Sequence, residues 1–120
     1  YGPVADIDIT VPVPKDAVFR HSFDLAKRAE DGELNRTLVS AARFINMHAR
    51  AGVDADNIRL AVVVHGTAVH DVSGETPANA KLVAALIDHG VRIFVCGQSG
   101  AYYDVTTDDL CPEWRWRSPP

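Results

Sequence analysis

With 120 residues, 47% hydrophobic and 23% charged, the chain is long enough for one domain that buries roughly two-thirds of the surface its unfolded form exposes. Its composition lies outside the disordered, collagen-like and disulfide-scaffold classes. Twelve Lys and Arg against sixteen Asp and Glu leave a net charge of −4 without any block of like charge, which argues against a nucleic acid held through its phosphates, and no apolar run approaches the ~20 residues of a bilayer span, which argues against membrane insertion.

Residues 1–16 carry Ile7, Ile9, Val11 and Val13 at strand period, but Pro12 and Pro14 lack the N–H of a central ladder. The expectation is an extended N-terminal arm over 1–16 and a single domain over 17–120. In residues 18–25, Phe19, His21, Phe23 and Leu25 alternate with Arg20, Ser22 and Asp24, a half-buried strand. After the Asp31-Gly32 turn signal, Leu34, Leu38, Ala41, Ala42, Ile45 and Ala49 recur at helical spacing, and Gly52 suits the position just past the helix end. Residues 58–64 are almost unbroken Val, Ile and Leu, the composition of a parallel strand covered on both faces. They end abruptly at His65-Gly66.

Thr76-Pro77 reads as a cap followed by a proline at the first helical position. Leu82, Val83, Ala85, Leu86 and His89 line one face before Gly90. Residues 91–95 form the next buried strand and run into a loop, Cys96-Gly97-Gln98-Ser99-Gly100. Thr106 or Thr107 caps a short turn stopped by Pro112. Trp114 and Trp116 alternate with Arg115 and Arg117, either a short amphipathic strand or a partner-facing edge. The alternation of strands and helices predicts an α/β fold: a three-layer sandwich on a parallel, or mixed, sheet with right-handed crossovers and helices on both faces. Chemistry in such sheets sits outside the carboxyl ends of the strands, so His65-Gly66 and Cys96-Gly97 are expected to face one crevice.

Cys96 is the most informative residue. A thiol acts as a nucleophile once ionised, and backbone N–H groups of the following glycine-containing turn can lower its pKa. The competing reading is an inert core cysteine at the end of an apolar strand. His65 is a general base or a cation stabilising the Cys96 thiolate, or else a histidine bonded to backbone in a tight turn. His48 and His89 fall in last turns of helices, where a cation suits the dipole. A metal set of His65, His70, Asp71 and Cys96 matches no zinc spacing, so no metal is assigned. Phosphate loops are absent, and no histidine follows His89 to serve Ser99 as a triad partner. No cofactor is called for. Cys111 either resolves an oxidised Cys96 or is a bystander.

Taken together, the ordered pieces Ala41-Ala42-Arg43-Phe44-Ile45-Asn46, the run from Leu60 into His65-Gly66, Asn79 before a helix, and the run from Gly90 into Cys96-Gly97-Gln98 resemble the DsrE/DsrF-like family over about residues 17–111. The resemblance implies a DsrE-like, flavodoxin-like sandwich and a small homo-oligomer. It also implies a cysteine at the position of Cys96 that carries a persulfide between a sulfur-donor and a sulfur-acceptor protein in bacterial sulfur metabolism. On that basis His65 and Cys96 are the expected catalytic pair. Gly66, Asn79, Gly97, Gln98 and Ser99 are the expected binding residues, with the backbone at Gly97 and Ser99 donating to the sulfur. Cytoplasm and periplasm both stay open, since the chain opens on Tyr1. Members usually add a further strand and helix where this chain has Trp114 to Pro120, and a sheet edge left open invites pairing with a second copy. Two other functions fit the residues: a non-catalytic oligomeric module holding a small ligand or a protein tail between His65 and Cys96, and a thiol redox sensor using Cys96 and Cys111.

Overall fold

The computed structural model describes residues 2–5, 7, 13–14, 16–30, 32–73 and 77–105. Strands β1 (Phe19–Leu25), β2 (Ile58–Val64) and β3 (Arg92–Val95) form a parallel sheet in the order β1-β2-β3. Leu25, Val64 and Val95 stand in register at its carboxyl end. Helix α1 (Arg36–Arg50) connects β1 to β2 and α2 (Pro77–Asp88) connects β2 to β3, which is the expected α/β alternation.

Each crossover steps to the adjacent strand in the same direction across the sheet. Right-handed connections of that kind place both helices on one face. That face carries Leu25, Ile58, Leu60, Val62, Val64, Ile93 and Val95, which form one core with Leu38, Ala41 and Ala42 of α1 and Leu82, Val83 and Leu86 of α2. Phe44 and His48 of α1 meet Phe19 edge-on and each other in a stack, sealing the β1 end of this layer. At 25 cal/mol per Å² the burial of such side chains is worth about 2 kcal/mol each, so this layer supplies most of the fold's stability.

The opposite face is different. Arg20, Ser22, Asp24, Arg59 and Arg92 are exposed there, and Ala61 and Val63 are half-buried. Phe94 is buried outside the core cluster, with the Arg92 guanidinium 5.4 Å above its ring. The composition of β2 predicted cover on both faces. Helices α1 and α2 both cover the first face, because strand order, not composition, decides where crossovers lie.

Local chemistry sets the element ends. The Asn35 side chain caps α1 by accepting from Thr37 N–H at 3.0 Å, and Gly52 takes a left-handed φ of +94° just beyond it. The spacing predicts His89 on one helical face with Leu82, Val83, Ala85 and Leu86, in the last turn of α2. It lies past the helix end, exposed, with Nδ1 2.9 Å from the Ala85 carbonyl. Carbonyls of Gly2, Pro3 and Val4 accept from Asn46, Arg43 and Arg50, so the start of the chain runs along α1. Ile9, Val11, Pro12, Asp31, Thr76, Thr106, Thr107, Cys111, Trp114 and Trp116 lie outside the described residues.

After β2 the chain enters a 3-10 turn (Gly66–Val72) that is stitched to the loop following β1. Buried Asp71 accepts from Ala29 N–H and the Asn35 amide, both at 2.8 Å, and Thr67 Oγ1 accepts from Arg28 N–H at 3.1 Å. Gly66 makes this approach possible. Its φ is +61°, and a Cβ there would stand 2.5 Å from the Ala26 carbonyl oxygen. Gly66→Ala is therefore expected to cost about 2 kcal/mol, from left-handed strain and a backbone clash together. Chemical denaturation checks this, and an unchanged midpoint would contradict the tight packing of the two turns.

Candidate functional site

The ladder continues past the last strand residues. His65 N–H donates to the Leu25 carbonyl at 2.9 Å and Cys96 N–H to the Val64 carbonyl at 2.8 Å. These bonds lock the three strand ends side by side and bring the His65-Gly66 and Cys96-Gly97 turns together, as the α/β rule predicts.

Cys96 is half-buried and begins helix α3 (Gly97–Tyr102). The sequence reads as a loop there, since Gly97 and Gly100 are poor helix formers. The short helix closes through Gly100 N–H on the Cys96 carbonyl at 3.0 Å, and Val105 N–H returns to Gly100. Cys96 is the cap residue without a side-chain cap hydrogen bond, and the N–H groups on its side of the turn belong to the second and third helical positions. Those are Gln98 and Ser99, not Gly97 as expected. The Ser99 N–H contributes most to holding the Cys96 pKa below the ordinary thiol value, followed by the Ser99 hydroxyl, with a smaller contribution from Gln98 N–H; partial burial opposes them.

The Ser99 oxygen also accepts from Gly66 N–H at 2.9 Å. The Ser99 side chain joins the turn after β2 to the turn that holds Cys96. Gly66 thus enters the site through its backbone. Gly97 enters by leaving room, since nothing lies within 4 Å of where a Cβ would stand. An anionic sulfur with an open approach on one side is a competent nucleophile.

Two expected residues are placed otherwise. His65 does not face Cys96 as an ion-pair partner; its Nε2 donates to Asp24 Oδ1 on β1, the strand on the other side of β2. Asn79 is fully buried and bonded to the chain itself, accepting from Asn35 N–H at 2.7 Å and donating to the Glu33 carbonyl at 3.0 Å. It anchors the start of α1 instead of lining the site, because a buried amide takes the nearest backbone groups that would otherwise go unpaired. Among the described residues His65, His70, Asp71 and Cys96 do not converge into a metal-binding group. Cys111 is outside the described residues.

Asp24 is the residue that sequence reasoning missed. Its signal was its place on the outward side of β1, one residue before the strand's end. In a parallel neighbour that position lies beside whatever follows β2.

Replacing Ser99 by Ala removes the hydroxyl and keeps the backbone N–H. The pH midpoint of Cys96 alkylation, followed by peptide mass, is expected to rise toward that of free cysteine without reaching it, and stability to fall by about 1 kcal/mol as Gly66 N–H loses its acceptor. An unmoved midpoint would remove the hydroxyl from the account.

Residues 21–116 match the DsrE/DsrF-like family, a span that includes all three strands of the site from His21 onward. No curated protein and no solved structure shows a significant match to the chain. The match covers most of the sequence together with the parallel sheet and the Cys96 turn, and the chain belongs to the DsrE/DsrF-like family.

Proposed function

We infer that Cys96 accepts a sulfane sulfur as a persulfide and passes it to another thiol. Membership of the DsrE/DsrF-like family points to a sulfur-relay-related function. The observation that carries the finer reading is the half-buried Cys96 sulfur with its pKa lowered by the Ser99 and Gln98 donors. Thiolate is the form that attacks a donor persulfide, and the same donors steady the charge on the carried sulfur.

The partners on this reading are a thiol that donates sulfur and a thiol that receives it. A second copy of the chain is a further partner: among the described residues β1 and β3 are the sheet's edges, and unpaired edges favour subunit association. No described helix is long and apolar enough to cross a membrane.

Incubation with a low-molecular-weight persulfide, followed by intact-mass analysis, tests the reading. Wild-type protein is expected to gain one sulfur atom that a thiol reductant removes, and Cys96→Ser is expected to gain none at that site. Equal gain by the two proteins would contradict the assignment.

A further inference from the structure

Asp24, His65 and Cys96 stand in that order across the carboxyl end of the sheet, one on each strand or just past it. Alternation puts all three on the face opposite the helices, since each neighbours a core-facing residue: Leu25, Val64 and Val95. His65 and Cys96 directly follow the paired residues Val64 and Val95, so their backbones are about 5 Å apart. The row is open to solvent, with the Asp24 side chain 76% exposed and that of His65 38%.

The thiolate does not need the imidazole. Ser99 and Gln98 supply the groups that favour its charged form, and His65 is not among them. The ring instead spends Nε2–H on Asp24, which turns Nδ1 away from β1; among the described residues nothing bonds to Nδ1. A histidine oriented by a carboxylate, with its second nitrogen available and a nucleophile on the next strand, is arranged to serve a bound molecule.

Resting on the reading of Cys96 as sulfur acceptor, we propose that His65 is the acid that protonates the thiolate leaving the donor, and that Asp24 is the positioning residue that aims it. The Cys96 thiolate attacks the outer sulfur of a donor R–S–SH. The new S–S bond forms as the donor's S–S bond breaks, and R–S⁻ leaves with the electron pair. His65, protonated from solvent, delivers its Nδ1 proton to R–S⁻ and gives R–SH, while Cys96 holds the persulfide. The transferred sulfur keeps its oxidation state, so no external oxidant or reductant enters. The substrate class that needs this acid is an alkyl persulfide, whose leaving thiolate is strongly basic; an aromatic thiolate departs without a proton.

The test uses the full chain with Cys111→Ser in every protein, comparing the otherwise wild-type chain with Asp24→Asn, Asp24→Glu and His65→Gln. Single-turnover reaction at Cys96 is measured with glutathione persulfide and, separately, with an aromatic disulfide of the dithiobis-nitrobenzoate type. With the alkyl donor, His65→Gln is expected to slow transfer roughly a hundredfold and Asp24→Asn about tenfold, with Asp24→Glu between Asp24→Asn and wild type. With the aromatic reagent all rates stay close to wild type, and the pH midpoint of Cys96 alkylation does not move.

Wild-type rates in both Asp24→Asn and His65→Gln with the alkyl donor would overturn the proposal. Equal slowing with both reagents would overturn it as well, by showing a loss at the nucleophile. A wild-type chain that reacts with the aromatic disulfide yet never takes sulfur from the alkyl persulfide would instead bring down the acceptor reading, and this proposal with it.

Discussion

The Ser99 hydroxyl oxygen accepts from Gly66 N–H, and the same side chain helps to hold the Cys96 pKa below the ordinary thiol value. Through that one group the turn after β2 and the turn after β3 become a single site. Shifting either turn breaks the Gly66–Ser99 bond and disturbs the group that favours the charged form of Cys96. Gly66 is what lets the first turn come so close, because no side chain fits between it and the Ala26 carbonyl. The chemistry of Cys96 therefore depends on a glycine thirty positions earlier, held by the parallel register of the strands between them.

Stability and chemistry are separated across the sheet. The helical face holds nearly all of the aliphatic core, and the outward face holds Asp24, His65 and Cys96 at its carboxyl edge. Between the two lies a buried polar set, Asp71, Asn35 and Asn79, that ties residues 27–35 to the turn after β2. A buried carboxylate is tolerated when donors surround it, and Asp71 takes two at 2.8 Å.

Much of this was legible in the sequence. The Val and Ile runs located β2 and β3, the spacing of Leu38, Ala41 and Ala42 located α1, and the strand ends singled out His65 and Cys96. What was hidden depended on partners far along the chain. Asp24 is 41 residues from His65, and only strand order reveals that the ring turns to β1 and not to Cys96. The helical start at Gly97 was hidden by two weak helix formers, and with it the part that Gln98 and Ser99 play in favouring the charged form of Cys96. The hydropathy of β2 reported how apolar the strand is, but not that both crossovers fall on the same side. Asn79 is an expected binding residue that is bonded to Asn35 N–H and the Glu33 carbonyl instead, since a polar residue that anchors backbone and one that binds a ligand look alike in sequence.

The account stands on an acidic, reachable sulfur at Cys96. The most direct measurement is the ultraviolet absorbance of the thiolate, titrated against pH in the folded chain with Cys111 replaced by Ser. The arrangement of Ser99 and Gln98 predicts ionisation at a lower pH than that of a cysteine in an unstructured peptide; a midpoint at or above the peptide's would contradict it.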